Sequence, residues 1–99
     1  MKLNYGGSVY IMVNKYNTVL YIGSSSELLF RVIEHRERAY PTSFTAKYNC
    51  DKLVYYEDHE CIEDAHTRER QLKKWSRKWK DELITKFNPE WEDLFDTLS

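Results

Sequence analysis

Two short runs of β-branched and aromatic residues near the N-terminus, separated by a polar segment, constrain the fold most strongly. Residues 8–14 read Ser-Val-Tyr-Ile-Met-Val-Asn and residues 18–23 read Thr-Val-Leu-Tyr-Ile-Gly, with Lys15, Tyr16 and Asn17 between them. Side chains of this kind suit the pleated surface of a sheet, and the polar residues between the runs suit a turn. The sequence therefore predicts an N-terminal β-hairpin.

One further strand and several helices are predicted downstream of the hairpin. Ser24, Ser25 and Ser26 supply N-cap candidates for the first helix, and Tyr40 and Pro41 end it. The predicted elements are a helix over residues 27–38, an irregular segment over residues 42–51 with room for one helical turn, a strand over residues 53–57, helices over residues 62–75 and 77–86, and a short C-terminal helix after Asn88 and Pro89. The order ββαβααα predicts an α+β domain in which helices flank a small three-stranded, mainly antiparallel sheet.

Length and composition restrict the class of protein. A chain of 99 residues fits one domain, which we expect to span residues 1–99. Because 41% of the residues are hydrophobic and only 3 are Gly and 2 are Pro, collagen-like, low-complexity and disordered classes are excluded. No apolar run reaches the roughly 18 residues that cross a bilayer, and residues 1–5 carry no apolar signal-peptide region. Cys50 and Cys61 suit a reducing compartment, so we expect a cytoplasmic protein without a membrane partner.

Basic residues are concentrated in one segment although the net charge is only −1. Acidic residues dominate residues 51–64 and 90–99. Between them, Trp75 and Trp79 lie among basic side chains: Arg68, Arg70, Lys73, Lys74, Arg77, Lys78 and Lys80. Basic and aromatic side chains together can hold a phosphate backbone and stack on bases. The alternative is a solvated helix face whose tryptophans belong to the core.

Glu69 interrupts an apolar helix face. Apolar residues recur at three-to-four-residue spacing along this helix, and they include Ile62, Ala65 and Leu72. Burying an unpaired carboxylate is costly, so we expect Glu69 to be salt-bridged, to lie at the rim of a cleft, or to bind a cation. A purely local alternative pairs it with a basic neighbour on the same helix: Arg68, Arg70 or Lys73.

Polar and aromatic residues of the first helix and the hairpin are candidates for one ligand site. Arg31 and His35 lie one turn apart, where a guanidinium suits phosphate oxygens and an imidazole can shuttle a proton. Tyr10 and Tyr21 lie on the predicted strands, and Gly23 would allow a ligand to approach the backbone closely. Taken singly, each residue also has an ordinary interpretation as a surface or sheet residue. The face of the first helix that packs against the core is assigned to Leu29, Val32 and Ile33.

Taken in order, these features resemble the GIY-YIG nuclease superfamily over nearly the whole chain. They are Ser8-Val9-Tyr10, Tyr21-Ile22-Gly23, Arg31 with His35, Glu69, and Asn88-Pro89. The run from Arg68 to Trp75 is similar to that of short stand-alone bacterial members related to the UvrC N-terminal nuclease domain. The first motif departs from the family pattern, because it reads Ser-Val-Tyr in place of Gly-Ile-Tyr.

The resemblance implies a role for each matched residue. Glu69 would hold one divalent ion, Mg²⁺ or Mn²⁺, and Arg31 would stabilise the scissile phosphate. Tyr10 and Tyr21 would position or deprotonate the attacking water, and His35 would orient a tyrosine or take the proton itself. Nucleic-acid contacts are assigned to Gly23, Lys47, Lys73, Lys74, Trp75, Arg77, Lys78 and Asn88.

The function that the resemblance implies is a metal-dependent endonuclease that hydrolyses DNA phosphodiester bonds in repair or recombination. Its oligomeric state, monomer or homodimer, and its need for a targeting protein stay open. One alternative is a non-catalytic nucleic-acid-binding module of the same fold, suggested by the basic segment and the lack of a separate DNA-targeting domain. The other is a protein-interaction domain, suggested by the acidic residues 90–96.

Overall fold

The predicted hairpin forms two strands of a three-stranded sheet in the computed structural model, which describes residues 6–98. The strands are β1 (Gly7–Val13), β2 (Leu20–Ser25) and β3 (Lys52–His59). Both β2 and β3 pair antiparallel with β1, so β1 is the central strand and the strand order is β2-β1-β3. The expectation that residues 1–5 carry no signal peptide lies outside the described residues.

Helices occupy the predicted positions to within a few residues. They are α1 (Leu28–Glu37), the single-turn α2 (Phe44–Lys47), α3 (Ile62–Lys73) and α4 (Arg77–Phe87), followed by a 3₁₀ helix at Phe95–Leu98. The predicted α+β class and order of elements are confirmed, and α2 is the single helical turn that the prediction allowed within residues 42–51. No helix among residues 6–98 has both the length and the apolar character that a bilayer-crossing segment requires.

Helices cover both faces of the sheet, because successive side chains of β1 point to opposite faces. One core packs against α3 and α4, and its members include Val9, Ile11, Val13, Leu72 and Ile84. The other packs against α1 and the C-terminal segment, and its members include Tyr10, Met12, Val32 and Leu53. The central strand is therefore buried along its whole length.

The start of α1 differs from the sequence prediction. β2 continues through Ser25, because Ser24 and Ser25 pair with Val9 and Ser8 of β1. The N-cap position falls at Glu27, where no side chain caps the helix, and the Ser25 hydroxyl accepts a hydrogen bond from the Glu27 N–H at 2.9 Å. The prediction of a serine N-cap is therefore wrong.

The inner face of α1 is narrower than the sequence suggests. Val32 is fully buried, whereas Leu29 and Ile33 are only partly buried. Leu28 packs against the same core as Val32, so the inner face follows a four-residue spacing. The helix ends at Glu37, within one residue of the predicted end, and the left-handed backbone of Arg38 (φ 55°) stops it ahead of the Tyr-Pro pair.

Asn88 is a buried structural residue. Its Nδ2 donates to the carbonyl oxygens of Val54 at 3.1 Å and Glu92 at 2.8 Å, and its Oδ1 accepts from the Glu92 N–H at 3.1 Å. These bonds join the end of α4 to β3 and to the C-terminal segment. Because the amide is fully engaged with backbone, this geometry does not support the assignment of Asn88 to DNA contact.

We expect Asn88→Ala to lower the free energy of unfolding by about 2–3 kcal/mol, because it removes three hydrogen bonds at a buried position. Urea denaturation would measure the loss. Glu90→Ala, at an exposed position of the same segment, is the control. A loss no larger than that of the control would contradict the structural role.

Candidate active site

Two tyrosines lie side by side on one face of the hairpin. Tyr10 is at the middle of β1, opposite Gly23 of β2, and Tyr21 lies two residues before that glycine. The ring centroids are 6.2 Å apart, and Tyr10 is buried whereas Tyr21 is half-buried. Because side chains alternate along β2, Tyr21 and Gly23 face the same side of the sheet as Tyr10.

Gly23 makes room for the Tyr10 phenol. A Cβ at this position would lie 2.6 Å from Tyr10 Oη and 2.9 Å from the Tyr21 ring, too close for the site to accept without a shift. The sequence interpretation gave this space to a ligand, whereas in the structure the phenol fills it. The lack of a side chain at Gly23 therefore lets the Tyr10 phenol extend over β2.

His35 links the first helix to both tyrosines. Its Nε2 lies 2.9 Å from Tyr10 Oη, and its ring centroid lies 5.4 Å from that of Tyr21. On the other side of the ring, Nδ1 lies 2.7 Å from Thr45 Oγ1. Thr45 belongs to α2 and is buried. The imidazole is thus held at both nitrogens, between the Tyr10 phenol and the Thr45 hydroxyl.

Burial keeps both members of the Tyr10–His35 pair neutral. Burial, followed by the nearby Tyr21, raises the pKa of Tyr10 well above its ordinary value, against the opposing charge of Arg31. Burial, followed by the Arg31 charge, lowers the pKa of His35. At pH 7 the pair is therefore a phenol beside a neutral imidazole, in which one nitrogen is protonated and the other is an acceptor.

Arg31 places positive charge beside this pair. It lies one helical turn before His35, and its charge affects the pKa values of both His35 and Tyr10. The guanidinium is partly exposed, and Nη1 makes a long contact of 3.4 Å with the Glu34 carboxylate. A planar guanidinium in this position can bind two oxygens of one phosphate group.

Glu69 approaches from the opposite face of the sheet. Its carboxylate accepts a hydrogen bond from Ser24 near the end of β2. Ser24 Oγ also lies 2.8 Å from His66 Nδ1, and Lys73 Nζ lies 2.5 Å from the second carboxylate oxygen of Glu69. Glu69 contacts Ser24 and the Tyr10 phenol lies against the adjacent Gly23, so the two side chains lie on opposite faces of the same stretch of β2.

The expectation that Glu69 is salt-bridged is confirmed, with Lys73 as the partner on the same helix. Burial alone would raise the pKa of Glu69. Hydrogen bonds from Lys73 and Ser24, together with the positive charge of Lys73, outweigh it and hold the pKa below its ordinary value. The carboxylate is therefore ionised at pH 7, and its side chain is 18% exposed.

The donors around Glu69 fit an oxygen-coordinated divalent ion. The carboxylate and the Ser24 hydroxyl supply oxygen ligands, which Mg²⁺ prefers, and Mg²⁺ commonly binds one or two carboxylates while keeping several waters. Among residues 6–98, no group of three or more His, Cys, Asp or Glu side chains is arranged to hold a metal. The donor set therefore suits a site with a single carboxylate and differs from a structural zinc site.

Two site residues are not identified by the sequence pattern. Thr45 lies in the segment predicted to be irregular, and its contact with His35 depends on how α2 packs. Ser24 was interpreted as a helix cap. Ser24 directly follows the Tyr-Ile-Gly motif, and adjacent residues of a strand face opposite sides of the sheet. The sequence could therefore have placed the Ser24 side chain on the face opposite Gly23, where it contacts α3.

Part of the basic segment supports the fold. Trp75 packs against the core beside α3, and the Arg68 guanidinium lies 5.2 Å from its ring centroid. Arg77 donates to the carbonyl oxygens of Asn17 at 2.6 Å and Thr18 at 3.0 Å, which ties α4 to the hairpin turn. This geometry assigns Trp75 and Arg77 to structure and does not support their assignment to DNA contact.

Other residues of the segment remain at the surface. Lys74 and Lys78 are exposed, and Trp79 is exposed with its ring edge-to-face against Trp75 at 5.8 Å. Lys47 is also exposed, on α2 next to Tyr48. These positions stay candidates for nucleic-acid contact, whereas Lys73 is engaged with Glu69.

Comparison with known families agrees with this geometry. The family model described as the GIY-YIG catalytic domain matches residues 6–82, a span that contains both tyrosines, the two α1 residues and the α3 carboxylate. No curated protein and no solved structure matches the chain.

We expect the stability of the wild type to fall more steeply than that of His35→Gln between pH 7.5 and pH 5.5. The folded-state pKa of His35 lies below the unfolded value of about 6.5, so the unfolded chain takes up this proton at a higher pH than the folded protein does. Stability from neutral His35 is thus present above that pH and is lost below it. Urea denaturation across the pH range would measure the two slopes. Equal slopes would contradict a buried, neutral His35.

Proposed function

The chain belongs to the family of GIY-YIG catalytic domains, which are endonucleases, and we propose that it hydrolyses DNA phosphodiester bonds with the help of a divalent metal ion. The observation that supports this most is the meeting of a hydrogen-bonded Tyr10–His35 pair, the Arg31 charge and the ionised Glu69 around β2. Hydrolysis needs an activated water, neutralisation of the charge that develops on the phosphate, and a stabilised leaving oxygen.

Charge on the phosphate is neutralised from both sides of β2. Arg31 on α1 would bind non-bridging oxygens with its planar guanidinium. Glu69, with the Ser24 hydroxyl beside it, would hold the divalent ion, which supplies further positive charge when bound. Placing the scissile group between these two positions explains why the arginine and the carboxylate come from opposite faces of the sheet.

Tyr10 and His35 form a proton relay in this proposal. A phenol is a stronger donor than an imidazole N–H, so Tyr10 Oη donates to His35 Nε2, and His35 Nδ1–H donates to Thr45 Oγ1. As the water oxygen bonds to phosphorus, the bond to the leaving oxygen breaks and the water proton passes to Tyr10 Oη. The leaving oxygen keeps the bonding electron pair and takes a proton from solvent, and the ion that Glu69 would hold would stabilise its negative charge. The Tyr10 proton passes to His35 Nε2. The more exposed Tyr21 orients the water.

This assignment follows from the environment of each group. The raised pKa of Tyr10 argues against a permanent phenolate, because burial disfavours that charge. His35 is neutral at the start and can accept a proton, and the Thr45 hydroxyl keeps its ring directed at the phenol. A relay moves the proton without first forming an isolated charge on Tyr10.

We further propose that residues 1–99 form one nuclease domain that acts in DNA repair or recombination. The groups described above all come from one chain, so nicking one strand needs no second copy. Cutting both strands would require a homodimer or two successive nicks, and a targeting protein could direct either. The exposed Lys74, Lys78 and Trp79 support a second candidate function, a DNA-binding module of this fold that does not cut.

We expect wild-type protein to cut at least one DNA among single-stranded, duplex, flapped and four-way-branched substrates in Mg²⁺ or Mn²⁺, and EDTA to abolish cutting. Glu69→Gln should lower the cleavage rate at least about a hundredfold, because it removes the carboxylate charge that holds the ion. Its free energy of unfolding should change by less than about 1 kcal/mol, since the Lys73 partner is 52% exposed.

The matched control is Glu63→Gln, an exposed carboxylate on the same helix, which should cut like the wild type. Binding of DNA by the wild type without cleavage of any substrate would favour the non-catalytic module. A large loss of stability in Glu69→Gln would instead give the carboxylate a structural role.

We expect Lys73→Met to bind Mn²⁺ a few-fold more tightly than the wild type, because the Lys73 ammonium competes with the ion for Glu69. Calorimetric titration of the protein with Mn²⁺ would measure the difference. Lys74→Met removes the same charge from the adjacent exposed position and should change the affinity less. Equal effects of the two substitutions would show a general charge effect and contradict direct competition.

A further inference from the structure

The single-turn helix α2 and the residue that follows it present two aromatic rings and a lysine to solvent. Phe44 and Tyr48 are 45% and 43% exposed, and their ring centroids lie 4.7 Å apart. The Lys47 Nζ lies 5.8 Å from the centroid of the Tyr48 ring. The two adjacent rings form one exposed apolar patch with a positive charge beside it, which is a feature of ligand-binding surfaces.

The backbone beneath these rings is firmly held. Thr45 and Ala46 point inward and are buried, and the Ser43 hydroxyl caps the turn by accepting from the Ala46 N–H at 3.3 Å. The Cys50 N–H donates to the Thr45 carbonyl at 2.8 Å, which closes the segment toward β3. The outward-facing rings are therefore presented by a fixed support.

The two rings are continuous with the active site. The Phe44 centroid lies 5.9 Å from that of Tyr21, and the Tyr21 centroid lies 5.4 Å from that of His35. A row of rings thus runs from Tyr48 at the surface, through Phe44 and Tyr21, to the imidazole of His35. A ligand lying on the outer rings would extend directly from the place where the scissile phosphate is proposed to bind.

We propose that Phe44 and Tyr48 are a stacking platform for an unpaired nucleobase of the DNA substrate, with Lys47 contacting its phosphate. This inference rests on the proposed function and specifies its substrate, namely DNA with unpaired nucleotides beside the cleaved bond. Only an unpaired base offers a free ring face, because both faces of a base in duplex DNA are covered by its neighbours. The lysine beside the rings matches the negative charge of the backbone.

Affinity in EDTA for a flapped DNA, compared with a fully paired duplex of the same sequence, would test the platform. Fluorescence anisotropy should show that the wild type binds the flapped DNA about tenfold more tightly, as expected for stacking on aromatic rings. The double variant Phe44→Leu with Tyr48→Leu retains apolar side chains next to Tyr21 but has no rings. It should lose most of this preference and keep its affinity for the duplex within about twofold.

Tyr16→Ala is the control, because Tyr16 is an exposed ring in the hairpin turn and lies outside the row of rings. It should keep the wild-type preference. A double variant that retains the preference, or that loses affinity for flapped and duplex DNA equally, would overturn the inference. Sedimentation of the same proteins provides a second measurement, and a wild-type dimer that dissociates in the double variant would assign the rings to a second copy and overturn the platform.

The binding and cleavage experiments separate the two proposals. If the wild type prefers flapped DNA through these rings but cuts no substrate, the platform stands and the proposed hydrolysis fails. If the wild type cuts DNA and the double variant cuts and binds flapped DNA as the wild type does, hydrolysis stands and the platform fails.

Discussion

Burial of β1 on both faces is the constraint on which the rest of the structure depends. Alternate side chains of the strand enter two different cores, with Val9 and Ile11 on the α3 side and Tyr10 and Met12 on the α1 side. A shift of one residue in register would send each side chain to the wrong face and disrupt both cores. Tyr10 is therefore positioned by the packing that stabilises the sheet. Its buried phenol has a raised pKa and a defined partner in His35 for the same reason.

The edge strand β2 joins the two halves of the candidate site. Adjacent residues of a strand face opposite sides, so Gly23 accommodates the Tyr10 phenol while Ser24 meets Glu69 on α3. Arg31 and His35 lie on one side of β2, and Glu69 lies on the other. In the proposed reaction, groups on both faces would act on a single phosphate at the sheet edge.

Local sequence patterns predicted the strands and helices well. Contacts between distant residues account for the differences between the predicted and the observed structure. The hairpin and the helices were predictable because alternation and three-to-four-residue spacing are properties of short segments. The serine cap failed because pairing with β1 extends β2 through Ser25, and register is a non-local property. Arg77 looked like a DNA-binding residue, yet it binds carbonyl oxygens of a turn that lies about 60 positions away in the chain.

The sequence by itself determined the order of elements, the family resemblance and the residue types that carry the chemistry, because these are read from local spacing and motif order. It also indicated that Glu69 needs a partner, since a carboxylate on an apolar stripe is costly to bury. Only the tertiary structure decided which partners those residues have. Thr45 supports His35, Ser24 and Lys73 hold Glu69, and Gly23 accommodates a phenol because folding brings together atoms that are far apart in the chain.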